Sequence, residues 1–302
     1  MSVQVARGVG SAPVDVAFER FGEPDAPPVL LIMGLGTQML GWPDAFCATL
    51  ARHGLHVIRF DNRDIGLSSH MTGAPPPDVA AALRGRSSSA SYTLSDMAAD
   101  TVGLMDALGL DGAHLVGASM GGMIAQVAAI EHPRRVRSLT SIMSTTGDQS
   151  VGRPSQGALA ALLSPPARTR EEAVERTVQI VRVIGSPGFD IDEPDIRRRT
   201  GVAYDRADDP VGVGRQLVAI AASGDRTAAL LSVAVPALVI HGAADPLVDV
   251  SGGRATARAI PGAEFVAFAG MGHDLPRPLW GEITHQIAGL VQRAEARSVT
   301  PQ

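Results

Sequence analysis

Residues Pro28–Met33 (P-V-L-L-I-M) form an unbroken apolar run stopped by Gly34, the pattern of a strand covered on both faces. Val14–Phe21 instead alternates apolar and polar side chains, which predicts a half-exposed edge strand. Shorter apolar runs at His56–Phe60, Ala113–Ala118, Val136–Met143, Pro236–Ile240 and Ala263–Phe268 predict further strands, while Ala45–His53, Met120–Glu131 and Leu279–Val291 read as helices. Thr93-Leu-Ser-Asp96 has the spacing of a capping box, with Asp in the Glu position, and opens a helix carrying Leu94, Met97, Val102 and Met105. Strands separated by helices predict an α/β protein with a mostly parallel central sheet covered on both faces.

That rhythm stops between residues 147 and 232. Helical segments follow one another there, one opened by Thr169-Arg-Glu-Glu172 and carrying Val174, Val178, Val181 and Ile184 along one face. Pro165-Pro166, Ser186-Pro187-Gly188 and the acidic Asp190–Asp195 punctuate the segment as turns. An all-helical insertion between two strands reads as a lid, giving a core from 1–146 and 233–302 and a cap from 147–232. Gly73–Asp78 and the polar tail after Arg297 read as loops or frayed ends.

Composition narrows the chemistry. All 26 basic residues are arginine, so Schiff-base chemistry and a phosphate-loop lysine are both excluded. A net charge of -5 carries no polybasic surface for nucleic acid or membrane. Cys47 is the single cysteine, which rules out an internal disulfide, and it reads as a small apolar residue on a helix. The first residues carry no apolar signal core, and no stretch approaches the roughly 18 apolar residues of a membrane span, so a cytoplasmic enzyme without a membrane span is expected. The histidines show no H-E-x-x-H spacing; neither a metal nor a cofactor is expected.

Val116–Gly122 (V-G-A-S-M-G-G) places one serine among small residues between a strand and a helix. A dinucleotide cradle needs a glycine where Ser119 stands, and a phosphate loop needs a lysine. What remains is G-x-S-x-G on a sharp strand-to-helix turn, a setting that lifts a serine hydroxyl out of the sheet edge. A serine becomes nucleophilic only beside a base that is itself oriented by a carboxylate. Asp245 follows the strand Pro236–Ile240, and His273 follows Ala263–Phe268, both in loops just past strand ends. Chemistry in open α/β sheets gathers there. Asp249 and Asp148 compete with Asp245 for the acid role, and Asp274, next to His273, is a weaker competitor. His241 reads as a packed strand-end histidine, and Arg197-Arg-Arg199 as a solvated cap surface or an anion contact.

The order Ser119, Asp245, His273 resembles the α/β-hydrolase family over about residues 13–291. Asp61-Asn-Arg-Asp-Ile-Gly-Leu-Ser68 is similar to that family's D-x-R-G-x-G-x-S segment, with Asp64 in place of the usual glycine. Met33-Gly-Leu-Gly36 stands where the family carries His-Gly. Gly41–Phe46, Gly54–Asp61 and Gly270–His273 look closest to the aclacinomycin-methylesterase branch of bacterial serine esterases. The resemblance implies an α/β-hydrolase fold with the helical cap inserted before the last two strands. It implies that Ser119 attacks a carbonyl carbon, His273 shuttles the proton and Asp245 holds the imidazole, while the backbone N–H groups of Leu35 and Met120 receive the oxyanion. The expected activity is a serine carboxylesterase acting through an acyl-enzyme on small to medium apolar esters.

Met33, Gly34, Trp42 and Met271 are candidates for the substrate pocket, with Met120 beside them, because thioethers adapt to varied apolar ligands. Three other readings stay open: the same triad applied to C–C, lactone or thioester bonds, cofactor-free perhydrolysis, or a ligand-binding protein on the same scaffold. The only partner implied is a small-molecule ester, and a homo-oligomer stays open.

Overall fold

The apolar run around Leu30 forms β3 (Pro28–Ile32), and the alternation of its side chains between two faces builds both halves of the core. A computed structural model describes residues 2–299. Leu30 and Ile32 join one apolar layer with Ile58, Leu115, Met97 and Ile124, while Val29 and Leu31 join the opposite layer with Val57, Val116, Phe46 and Ile287. The eight strands β1 (Gln4–Val9), β2 (Val14–Phe21), β3, β4 (His56–Phe60), β5 (Ala113–Ala118), β6 (Val136–Ile142), β7 (Ala237–Gly242) and β8 (Glu264–Phe268) lie in the order β1-β2-β4-β3-β5-β6-β7-β8. β1 pairs antiparallel with β2, and β2 antiparallel with β4; every other pairing is parallel.

The structure corrects the expected edge. Val14–Phe21 is an inner strand, flanked by β4 and by β1, where Val5 and the preceding Val3 are exposed. Short, polar Gln4–Val9 carries little apolar signal, so its strand character comes from pairing with β2.

Helices α1 (Asp44–Ala51), α2 (Val79–Ala82), α3 (Leu94–Ala107) and α4 (Met120–Glu131) precede β6, and α10 (Val250–Ala259) and α11 (Trp280–Val299) follow β7. The Thr93–Asp96 box caps α3, with the Thr93 N–H donating to Asp96 Oδ2 at 2.8 Å. The last helix runs past Arg297 to Val299; residues 300–302, the rest of the expected polar tail, lie outside the described residues. Cys47 is buried on α1, and burial pushes its thiol up to about 12. Among the described residues no helix is long and apolar enough to cross a membrane.

Between β6 and β7 run five helices: α5 (Gln156–Leu162), α6 (Arg170–Ile184), α7 (Glu193–Arg206), α8 (Pro210–Ser223) and α9 (Thr227–Leu230). The box at α6 forms only in half. Thr169 Oγ1 accepts from the Glu172 N–H, but the Glu172 carboxylate takes the Arg168 N–H instead of that of Thr169. Arg197 pairs with Glu175 and Glu193, and Arg198 and Arg199 pair with Asp195, so this arginine cluster is spent on carboxylates of α6 and α7.

An ion pair at the N-terminus of α8 ties it to the loop after β4. Asp209 caps α8 through the Gly212 N–H (2.9 Å) and accepts from His70 Nδ1 at 2.7 Å, while His70 Nε2 donates to the Gly66 carbonyl at 3.0 Å. Both ring nitrogens face acceptors, which suits the imidazolium. Burial opposes that charge, but the Gly66 carbonyl and the Asp209 carboxylate, with Asp64 beyond, outweigh it and hold the His70 pKa above its ordinary value. Burial also opposes the Asp209 carboxylate, and the Gly212 N–H and His70 together reverse it, leaving its pKa below the usual range.

A raised imidazole pKa adds stability that is complete below the unfolded value of about 6.5 and is lost as pH rises through the folded value. The pair is partly exposed and contributes about 0.5–1 kcal/mol. Urea unfolding of wild type and His70→Gln at about pH 6 and about pH 9 should show a stability gap that shrinks at the higher pH. A gap that widens with pH would contradict the assignment.

Candidate active site

Ser119 stands between the end of β5 and the first residue of α4 with φ 55° and ψ −119°, a left-handed conformation that costs a non-glycine residue about 1–3 kcal/mol. The turn closes only because its neighbours are small. A Cβ on Gly117 would sit 2.0 Å from the Gly121 carbonyl oxygen, and one on Gly121 would sit 2.0 Å from that of Ile32. Both obstacles are backbone, so neither position takes a side chain without moving the strand or the helix.

His273 meets the serine from the loop after β8: its Nε2 lies 3.0 Å from Ser119 Oγ, and its Nδ1 lies 2.7 Å from Asp245 Oδ2. An ionised carboxylate only accepts, so Nδ1 carries the proton and Nε2 is left to accept from the serine hydroxyl. Asp245 is buried, and its second oxygen Oδ1 accepts from the Leu247 and Val248 N–H groups, each at 2.9 Å. The carboxylate is therefore held on both oxygens.

The competing carboxylates are engaged elsewhere. Asp249 caps α10 through the Ser251 N–H at 2.9 Å, and the Ser251 hydroxyl, with that N–H second, holds its pKa below the usual carboxylate range. Asp148 closes a turn on the Ser150 N–H and hydroxyl, both at 2.8 Å. Asp274 accepts from the Ser186 hydroxyl. His241 is fully buried, donates from Nε2 to the Val248 carbonyl at 2.8 Å, and stays 3.6 Å from Asp245 Oδ2. Burial pushes its pKa down, so it lies beside the carboxylate as a neutral ring.

The loop after β3 brings Gly34 against the serine: a Cβ there would lie 3.1 Å from Ser119 Cβ and 3.6 Å from Oγ. Met33 occupies the position where the resembled family carries histidine, and its carbonyl accepts from Asn62 Nδ2 at 2.9 Å. Leu35 is half-buried, and the next residue, Gly36, donates its N–H to Gln216 Oε1 of α8 at 2.9 Å. Further along, Asp61 accepts from the Met39 N–H (2.7 Å), the Leu67 N–H (3.0 Å) and Arg206 of α7 (2.9 Å). Gln38 donates to the Ala203 and Ala207 carbonyls at the end of α7 and accepts from Arg206. Gln38, Arg206 and Gln216 escaped the sequence reading. They join segments 145 to 180 residues apart, and no local pattern marks them.

Asp64, in the usual glycine position, has φ 65°, a conformation that aspartate tolerates better than most residues. Its carboxylate accepts from the Met71 N–H at 2.6 Å and from Arg215 of α8 at 3.3 Å. Asp64, His70 and Asp209 come within metal-ligand reach of one another, yet the His70–Asp209 hydrogen bond and the Arg215 cation occupy them.

Two pocket candidates belong to the core instead. Trp42 and Met271 show no exposed surface; Trp42 packs on Phe46 with ring centroids 5.4 Å apart, and Met271 joins Ile142 and Ile240 in the same apolar layer. A side chain that touches neither solvent nor a water-sized void lines no pocket, and the Met120 side chain is equally enclosed. Met33 is buried as well, directed toward Gly41. Trp280 packs edge-on against Phe46 and donates to the Leu275 carbonyl at 2.8 Å. Of the expected pocket residues, Gly34 is the one that borders Ser119.

Residues 27–276 match the family model for the alpha/beta hydrolase fold. The chain is 32% identical over 280 residues to a rhodomycin D methylesterase of Streptomyces sp. (strain C5), covering 85% of this chain and 88% of that protein. A rhodomycin D methylesterase of Streptomyces peucetius is 33% identical with the same coverage. The crystal structure of an enol-lactonase from Burkholderia xenovorans superposes with a TM-score of 0.72 at 23% identity, covering 96% of this chain and all of that one, which shows a shared fold.

Proposed function

The chain belongs to the α/β-hydrolase fold family as a serine ester hydrolase, and we propose that it cleaves the methyl ester of an apolar carboxylic acid through an acyl-enzyme on Ser119. The observation that carries this reading is the relay Ser119–His273–Asp245, with contacts of 3.0 and 2.7 Å. Ser119 Oγ attacks the ester carbonyl carbon as its proton passes to His273 Nε2, and the carbonyl π electrons move onto oxygen. The Leu35 and Met120 N–H groups are the donors assigned to that oxyanion, Met120 being the first residue of α4. Collapse of the tetrahedral intermediate breaks the carbon–oxygen bond to the alcohol, which leaves as methanol with the proton from His273. Water then gives a proton to His273 and attacks the acyl carbon. The acid is released and the proton returns to Ser119.

The methyl leaving group is supported by the two methylesterases, which match most of the chain at about one-third identity. An imidazole Nε2 aimed at a serine hydroxyl on a strained turn favours turnover over a purely ligand-binding role. A panel of methyl, ethyl and butyl esters of benzoic, naphthoic and larger polycyclic acids, assayed for alcohol release, tests the reading. The methyl esters of the larger acids should show the highest kcat/KM, and an aryl phosphonate should label Ser119 with one equivalent. Label on another residue would overturn the mechanism, and a preference for long-chain alcohols would overturn the substrate class.

A further inference from the structure

The loop that carries His273 is fastened to two different parts of the molecule. The core holds it through Met271: the Ala244 N–H donates to the Met271 carbonyl at 2.9 Å, and the Met271 N–H to that of Phe268 at 3.3 Å. On either side of Met271 it is held by the turn that follows α6. The His273 N–H donates to the Ile184 carbonyl at 2.7 Å, and the Gly188 N–H donates to the Gly270 carbonyl at 2.9 Å. One side chain of this turn binds both neighbours of His273. Ser186 Oγ accepts from the Gly272 N–H at 2.9 Å and donates to Asp274 Oδ1. Glycines permit the approach, since a Cβ on Gly188 would lie 2.7 Å from Gly270 Cα and one on Gly272 would lie 2.2 Å from the Gly185 carbonyl oxygen.

The geometry points to Ser186 as a positioning residue for His273: its hydroxyl fixes the residues on either side of the imidazole and so sets where Nε2 stands relative to Ser119. This rests on the reading of His273 as the general base. Ser186 is buried, so no water replaces its two bonds when the hydroxyl is lost. Asp274 is the second reason the hydroxyl matters. Burial raises its pKa, Ser186 counters that rise, and Asp274 interacts electrostatically with both His273 and Asp245. Ser186 keeps this neighbouring carboxylate hydrogen-bonded toward the cap, leaving the Nδ1 proton to Asp245.

Ser186→Ala should lower kcat about ten- to a hundredfold, as a small misplacement of reacting groups does, with KM held within about threefold. Ser186→Thr, which keeps the hydroxyl, should restore kcat to within about threefold of wild type. The proton NMR spectrum gives a readout independent of turnover. The strongly deshielded Nδ1 proton of the His273–Asp245 hydrogen bond should shift or broaden in Ser186→Ala and return in Ser186→Thr. Asp274→Asn, which retains an acceptor for the Ser186 hydroxyl, provides a second route should the alanine variant fail to fold. In that background the Ser186→Thr change should leave kcat and the Nδ1 resonance where Asp274→Asn alone puts them, and a further loss would overturn the role.

A folded Ser186→Ala enzyme with wild-type kcat and an unchanged Nδ1 resonance would also overturn it, whatever its melting temperature. Failure of the underlying reading looks different. His273→Gln would then still turn over, whereas failure of the Ser186 role alone leaves His273→Gln inactive and Ser186→Ala as fast as wild type.

Discussion

Ser119→Ala should lose about four to six orders of magnitude in kcat with its fold intact. The loss is large because in the proposed mechanism Oγ is the atom that bonds the acyl carbon, and the water that replaces it is neither held 3.0 Å from His273 Nε2 nor poised over the carbonyl. Some acceleration over the uncatalysed rate should survive, because the backbone donors assigned to the oxyanion hole are untouched by the substitution. The melting temperature should stay level or rise slightly, since alanine keeps the Cβ and with it the strain at φ 55° while removing a polar atom from a partly buried site. Ser119→Gly separates the two effects: it should be equally inactive but more stable, because glycine relieves a left-handed backbone at little cost. Active-site titration with a phosphonate, set beside thermal melts of the three proteins, checks both halves. Turnover near the wild-type level in Ser119→Ala would end the acyl-enzyme reading.

What was legible in the sequence follows from how local each signal is. Ser119, Asp245 and His273 each lie just past an apolar strand among glycines, so their placement at one sheet edge could be read from strand order alone. The fold was legible for the same reason: runs such as Pro28–Ile32 are short, apolar and bounded by glycine or proline. The N-terminal strand was missed because Gln4–Val9 carries its information in its partner. Trp42 and Met271 were misplaced because residue type says nothing about which side of a loop faces inward, and both turn into the apolar layer beneath the site. Gln38, Arg206, Gln216 and Ser186 were invisible because isolated hydrogen bonds between segments distant in sequence leave no periodic trace. These bonds also change how the insertion is understood. A freely hinged lid would touch the core at its ends, but the helical segment between β6 and β7 is bonded to the loop beside Ser119 through Gln216 and to the loop of His273 through Ser186.

Asp245→Asn should lower kcat by about 10⁴-fold, whereas Asp249→Asn and Asp148→Asn should each stay within about threefold of wild type. The asymmetry comes from what surrounds Oδ1. Two backbone donors, the N–H groups of Leu247 and Val248, point at that oxygen from 2.9 Å, and an amide NH2 in its place would meet both donors head-on. The asparagine is therefore forced to keep its oxygen there and to turn its NH2 toward His273 Nδ1. Nδ1 then becomes the acceptor, the ring proton moves to Nε2, and Nε2 no longer takes a proton from Ser119. The fold should hold, because side-chain volume and both backbone hydrogen bonds are kept. Asp249 and Asp148 end differently: asparagine is a good helix N-cap at the first and closes the same turn at the second. Rates for the three variants on one methyl ester decide among the three acids, and a large loss at Asp249 or Asp148 with Asp245→Asn still active would move the orienting role to that residue.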